Sequence, residues 1–112
     1  MPEYATQRRH ARYNCDAGVE IRIDDARSGY WGTLTDISLG GCYINTFSPL
    51  PVGTAVVLLI KIDGQEINTK AKVVTSHPGV GMGLEFAEFL AQADEAHLQS
   101  LIGSLVAQVV ST

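Results

Sequence analysis

The chain has 112 residues, of which 46% are hydrophobic and 18% are charged. This length suits one domain with one modest core, and the composition is that of a globular rather than a disordered protein. The longest apolar run, residues 55–60, is as long as a strand and too short to cross a membrane. The first residues lack the apolar segment of a secretory leader. We therefore expect a cytoplasmic protein without membrane insertion.

The charge is unevenly distributed along the chain. The formal net charge is −4, yet residues 1–14 contain Arg8, Arg9 and Arg12 against a single acidic residue, Glu3, so all of the excess negative charge lies in residues 15–112. Surfaces that follow a nucleic-acid backbone need several distributed cations, and the acidic body therefore argues against a polymeric nucleic acid as partner. A short basic arm suits one small anionic ligand, although a solvated tail gives the same pattern.

Most of the chain shows strand patterns. Residues 1–14 have neither helical nor strand periodicity and are predicted to form a flexible arm, with a barrel domain over residues 15–112. Val19, Ile21 and Ile23 alternate with polar residues, as in a half-buried strand. Asp63–Gly64 is typical of a tight hairpin turn. Further strands are predicted over residues 30–37, 42–46, 54–62, 65–76 and 80–86.

The pattern changes to a helical one near the C-terminus. A helix is predicted over about residues 91–110, because apolar residues there recur at helical spacing and Asp94 and Glu95 suit its first turn. The apolar stripe consists of Leu98, Leu101, Ile102, Leu105 and Val109. Six short strands and one helix predict a mainly all-β fold, a closed or nearly closed six-stranded antiparallel β-barrel with a C-terminal α-helix that covers one end.

Nothing in the sequence indicates catalysis. Cys15 and Cys42 have no zinc-like spacing and are predicted to be unlinked, partly buried thiols. The sequence contains no nucleophile–base arrangement, no glycine-rich phosphate loop and no cluster of metal ligands. We therefore expect a protein that is not an enzyme and that uses neither a metal nor a cofactor.

Two short segments carry a family resemblance. Arg8 and Arg12 match the RxxxR motif of the PilZ domain family, and Asp36, Ser38 and Gly41 match its (D/N)xSxxG motif at a strand turn. The glycine-rich residues 81–86 look like the final strand of that family, and the resemblance spans residues 7–105. It implies a six-stranded barrel with a helix, and it implies that cyclic di-GMP (c-di-GMP) lies on the outer surface of the barrel, held by the arginine arm.

The arginines have the chemistry that such a ligand requires. Cyclic di-GMP carries two phosphates and two guanines, and an arginine fork donates two hydrogen bonds to guanine O6 and N7 or to a phosphate. Arg8 and Arg12 are therefore expected to clamp the ligand, and Arg9 either contacts a phosphate or points to solvent. Gln7 is a candidate secondary contact, and because it replaces a further arginine we expect one ligand per chain.

The second motif is expected to recognise a guanine base of the ligand. Asp36 is suited to accept hydrogen bonds from guanine N1–H and N2–H, and Ser38 offers a hydroxyl to the phosphate or the base. Gly41, together with Gly40, is expected to supply a positive φ and room for the ligand. Gly83 is a second candidate for a secondary contact.

Other interpretations of these segments remain open. The arginines also suit a solvated tail, and Asp36 to Ser38 suit a simple turn. Gly40 with Gly41, and likewise Gly81 with Gly83, suit a bulge that curves the barrel. Trp31 suits packing on the barrel more than stacking on a base. The predicted function is that of a c-di-GMP receptor that orders its arm on binding and signals to a downstream effector protein. The alternatives are a PilZ-like protein–protein interaction module that does not depend on the nucleotide and, ranked lower, a barrel that binds single-stranded nucleic acid.

Overall fold

The computed structural model describes residues 12–23, 29–62, 64–90 and 92–111, with the side chains of residues 93–104 in the last of these ranges. Six strands precede one helix. The strands are β1 (Tyr13–Ile23), β2 (Tyr30–Ile37), β3 (Gly41–Asn45), β4 (Ala55–Ile62), β5 (Gln65–His77) and β6 (Gly81–Phe89), and the helix is α1 (Gln92–Ser111).

The six strands form a closed barrel in the order β1-β2-β3-β6-β5-β4, and all neighbouring pairs are antiparallel. This confirms the predicted fold class. The pairing of Ile62 with Gln65 confirms the hairpin predicted at Asp63–Gly64. The barrel therefore presents an inner face, which forms the core, and an outer face, which is available for contacts.

β1 begins earlier than its sequence pattern indicates. Its burial alternates from Tyr13 onwards, with Cys15 and Ala17 packed against the core and Asn14 exposed. Tyr13 and Asn14 pair with Ile37 and Asp36 of β2, so two residues assigned to the arm from the sequence belong to the sheet. This segment has few β-branched residues, and it is the pairing with β2 that makes it a strand.

The core fills the barrel and extends to the helix. The inner faces of all six strands contribute fully or almost fully buried apolar side chains, such as Ile21 and Leu58. Leu98, Leu101 and Ile102 of α1 join the same cluster, as their spacing predicted, whereas the side chains of Leu105 and Val109 lie outside the described residues. α1 packs mainly on β5.

One hydrogen bond fixes the start of the helix on the barrel. The backbone N–H of Asn68 in β5 donates to the buried Asp94 carboxylate at 3.0 Å. Asp94 lies in the first helical turn, where the helix dipole favours a negative charge. In the part of the chain that the structure describes, no helix is long and apolar enough to cross a membrane.

Candidate functional site

An ion pair connects the residue that precedes β1 to the end of β2. The Arg12 guanidinium donates from Nη1 to Asp36 Oδ1 at 2.8 Å, and the two side chains are 33% and 26% exposed. Both residues were predicted to bind the ligand, one from each sequence motif. The structure therefore brings the two motifs together, although 24 residues separate these side chains in sequence.

A β-bulge places Asp36 on the outer face of the barrel. Strict alternation from the buried Leu34 would turn Asp36 inwards, yet Leu34 and Ile37 are both fully buried. β2 pairs Leu34 with Ile44 and then Asp36 with Tyr43, so Thr35 is an additional residue in the ladder. This one-residue shift allows Ile37 to return to the core and leaves the Asp36 carboxylate next to Arg12.

Ser38 holds the turn that joins β2 to β3. Its hydroxyl oxygen accepts from the N–H groups of Gly40 and Gly41, each at 3.1 Å, and donates to the Gly41 carbonyl oxygen at 3.3 Å. The Ser38 N–H also donates to Gly41 O at 2.8 Å. Ser38 is only 5% exposed, and its hydroxyl is used by the turn itself. Its contact with the ligand stays a prediction.

Gly41 of this turn is required for a different reason from the one predicted. A positive φ was expected at Gly41 and Gly40, but neither adopts one; among the described residues, the positive-φ glycines are Gly53, Gly64 and Gly79. A Cβ at Gly41 would instead overlap the Leu84 carbonyl oxygen of β6. Gly40 O accepts from Phe86 N at 2.9 Å, so the turn is fastened closely to β6. The backbones approach each other too closely for a side chain.

The thiol next to this turn is protonated at neutral pH. Burial raises the pKa of Cys42 well above its usual range, and the nearby Asp36 carboxylate raises it further, against a smaller opposite effect of Arg12. Cys15 is half-buried, as expected, whereas Cys42 is fully buried rather than partly buried. Cys42 therefore belongs to the core beneath the site.

Tyr43 is a neighbour of Asp36 that the sequence analysis did not single out. It is the β3 partner of Asp36, and its hydroxyl is 3.0 Å from His77 Nδ1 on β5. Its position could have been found from the sequence only with the register of β2 and β3, which depends on the bulge at Thr35. Gly83, a predicted secondary contact, is the residue of β6 that pairs with Tyr43.

The structure does not show the remaining candidate residues next to the Arg12–Asp36 pair. Gln7, Arg8 and Arg9 lie outside the described residues. Trp31 is 60% exposed and its ring lies over Gly18, which agrees with packing on the outer surface and excludes a place in the core. A shallow groove of about 430 Å³ on β4, β5 and β6 contains none of the predicted site residues. The described residues contain no group of metal-ligating side chains.

Comparison with known proteins identifies the domain type. A family model described as the PilZ domain matches residues 6–104, a range that contains both sequence motifs. Among curated proteins, no sequence matches the chain. Among solved structures, the PilZ domain of YcgR from Escherichia coli, in complex with c-di-GMP, is 18% identical with a TM-score of 0.67, and the match covers 92% of this chain and 94% of that one.

Two longer proteins match as well. The MrkH–c-di-GMP complex of Klebsiella pneumonia is 19% identical with a TM-score of 0.72, over 91% of this chain and 52% of MrkH. The inhibitor of motility MotI/DgrA of Bacillus subtilis is 22% identical with a TM-score of 0.70, over 89% of this chain and 52% of that protein. The chain spans about half the length of these two proteins. At these identities the similarity is one of fold.

Proposed function

Because the chain belongs to the PilZ domain family, whose model matches it over residues 6–104, we propose that it is a receptor for c-di-GMP without a catalytic role. The observation that carries the proposal is the Arg12–Asp36 ion pair at 2.8 Å. It joins the second arginine of one motif to the first residue of the other on the outer surface. The c-di-GMP complexes of YcgR and MrkH, which share the fold, support the choice of ligand.

The two charged groups of the pair complement the two edges of a guanine. The Arg12 fork fits the acceptors O6 and N7, or a phosphate oxygen, with two charge-assisted hydrogen bonds. The Asp36 carboxylate accepts from N1–H and N2–H, and adenine lacks this donor edge. In the structure each of the two groups is the hydrogen-bond partner of the other. The nucleotide therefore replaces a surface ion pair, which contributes about 0–1 kcal/mol, by several hydrogen bonds.

The other predicted contacts complete the proposed site. Arg8 and Arg9 approach from the arm, which becomes ordered when the ligand binds and thereby loses conformational entropy. Gly40 and Gly41 have no side chains, so the ligand can approach the backbone of the turn. Ser38 stabilises that turn through its hydrogen bonds. Gln7 and Gly83 are secondary contacts, and one ligand binds per chain. The ordered arm together with the ligand forms the surface that a downstream effector protein recognises.

A nucleotide-independent interaction module is the second candidate. Large apolar side chains are exposed on this barrel, notably Phe47 at 84% and Trp31 at 60%. Exposed aromatic residues are frequent anchors in protein–protein interfaces. In this interpretation the barrel binds its partner through these side chains. The Arg12–Asp36 ion pair then has only a structural role, connecting the start of β1 to the end of β2.

Isothermal titration of the purified protein with c-di-GMP distinguishes the two candidates, with GTP and cyclic di-AMP as controls. Selective binding of c-di-GMP at a molar ratio of one is the expected result. A ratio of two would contradict the expectation of one ligand per chain but leave the receptor assignment in place. Absence of binding would refute the receptor assignment and favour the interaction module.

A further inference from the structure

A row of residues crosses the outer face of the barrel at the level of Asp36. The strand registers pair Asp36 of β2 with Tyr43 of β3, Tyr43 with Gly83 of β6, and Gly83 with Thr75 of β5. Directly opposite residues on one face of an antiparallel pair have Cβ atoms about 4.5–5.5 Å apart. Tyr43 is therefore the immediate neighbour of the carboxylate that is proposed to recognise guanine.

The Tyr43 ring lies flat over two glycines of β6. A Cβ on Gly81 would come within 2.7 Å of Tyr43 Cε2, and a Cβ on Gly83 within 3.7 Å of Tyr43 Cδ1. These two carbon atoms belong to opposite edges of the ring, so the ring spans both glycines. Gly81 and Gly83 are buried, whereas Tyr43 is half-buried. One face of the ring is thus packed on the glycine backbone, and the half-buried side chain leaves part of the ring exposed.

His77 fixes the far end of this ring. The Tyr43 hydroxyl and His77 Nδ1 are 3.0 Å apart, and the two ring centroids are 6.0 Å apart with an angle of 35° between the ring planes. His77 is the β5 partner of Gly81. The hydroxyl is therefore anchored on the side away from Asp36. An anchored ring loses little further freedom when a flat ligand is placed on it.

We propose that Tyr43 is the platform on which one guanine of c-di-GMP stacks, and that His77 is a positioning residue that holds the platform flat. The inference rests on the proposed receptor function and names residues outside the two sequence motifs. A base on the Tyr43 ring has its N1–H and N2–H edge towards Asp36, one strand away, so stacking and edge recognition act on the same base. A side chain on Gly81 would collide with the Ile44 carbonyl oxygen and with the Tyr43 ring, and a side chain on Gly83 would collide with Thr75 Oγ1.

The test compares c-di-GMP affinities of Tyr43 variants by isothermal titration. Stacking of a base on an aromatic ring corresponds to roughly a 5- to 150-fold effect on Kd. We expect Tyr43→Leu, which retains bulk without a π-face, to weaken binding within this range, and Tyr43→Phe, which retains the ring, to bind within a few-fold of the wild type. Circular dichroism and thermal melting verify that each variant is folded.

A double-mutant cycle tests the role of His77. His77→Ala should weaken binding in the wild-type background, and His77→Gln, which can still hydrogen-bond the Tyr43 hydroxyl, should largely restore it. In a Tyr43→Phe background, where this hydroxyl is absent, His77→Ala should have no further effect. Equal effects of His77→Ala in both backgrounds would refute the positioning role.

An NMR measurement adds a readout of stacking besides the affinity. Stacking on Tyr43 should shift the NMR signal of one bound guanine H8 upfield through the ring current, and the shift should disappear in Tyr43→Leu. If the wild type binds c-di-GMP and neither the affinity nor this signal depends on Tyr43, the platform is refuted and the receptor function stands. If the wild type does not bind c-di-GMP, both the receptor function and the platform are refuted.

Discussion

Replacing Arg12 by alanine should separate binding from folding. The guanidinium and the Asp36 carboxylate are about a third and a quarter exposed, and an ion pair of this exposure contributes about 0–1 kcal/mol. Arg12 precedes the first residue of β1 and is exposed, so its removal leaves no cavity in the core. We expect Arg12→Ala to reduce the free energy of unfolding by less than about 1 kcal/mol.

The expected effect on binding is much larger. A hydrogen bond to a charged group contributes about 1.5–3 kcal/mol, and the Arg12 fork is proposed to make two of them. Part of this is offset because the free protein no longer has to give up the pair with Asp36. A net loss of about 2–4 kcal/mol corresponds to a rise in Kd of about 30- to 900-fold.

The chain provides a matched control in another arginine, Arg22, which lies within β1. Arg22 Nε donates to Glu20 Oε2 at 3.0 Å, and its side chain is 39% exposed, similar to Arg12. Arg22→Ala should therefore have a similar small effect on stability and no effect on c-di-GMP affinity. Affinities come from isothermal titration and stabilities from urea denaturation. Wild-type affinity in Arg12→Ala, or equal losses in both variants, would refute the proposal that Arg12 clamps the ligand.

Three further predictions concern the turn and the buried thiol, and a glycine on the helix provides the control for the first of them. Gly41→Ala should destabilise the fold by about 1–3 kcal/mol in urea denaturation, because the added Cβ would overlap the Leu84 carbonyl oxygen. Gly103→Ala, at an open position of α1, should instead stabilise the fold by about 0.5–1 kcal/mol. Ser38→Ala leaves two backbone N–H groups of the turn without their acceptor and should cost about 1–3 kcal/mol of stability as well as affinity. Cys42 should resist iodoacetamide in the native state at pH 8, as measured by mass spectrometry, because burial raises the pKa of its thiol and the reactive thiolate is scarce.

Each of these predictions has an outcome that contradicts it. A Gly41→Ala variant as stable as the wild type would mean that β6 moves away from the turn at little cost. A Ser38→Ala variant that loses affinity at unchanged stability would assign the hydroxyl to the ligand rather than to the turn. Alkylation of Cys42 at the same rate in folded and urea-unfolded protein would contradict its burial.

The fold could be predicted because its signals are local. The period-two alternation of Val19, Ile21 and Ile23 and the turn at Asp63–Gly64 identify strands and a hairpin without knowledge of the partners. The burial of Leu98 and Leu101 follows from helical spacing in the same way. The start of β1 at Tyr13 has no such local signal, because this segment becomes a strand only through its pairing with β2.

The site could be predicted only in part, because its geometry depends on register. The motif residues Arg12 and Asp36 meet as expected, but the bulge at Thr35, which turns Asp36 outwards, has no simple sequence signal. The requirement for glycine at position 41 comes from Leu84 of β6, which is distant in sequence, and not from a local φ preference. Tyr43 was missed for the same reason, since a single tyrosine in a strand reveals its neighbours only once the strands are aligned.

Arg12 lies one residue before β1 and contacts Asp36. This position limits how far the other arginines of the arm can be from the site. Four residues of fully extended chain span at most about 14 Å, so the backbone of Arg8 cannot lie farther than this from that of Arg12. One group confined to a sphere of this radius has an effective concentration on the order of 0.1 M. Recruitment of Arg8 to a bound nucleotide is thus an intramolecular step, whereas the same arginines on a separate peptide would have to be present at a comparable concentration to compete.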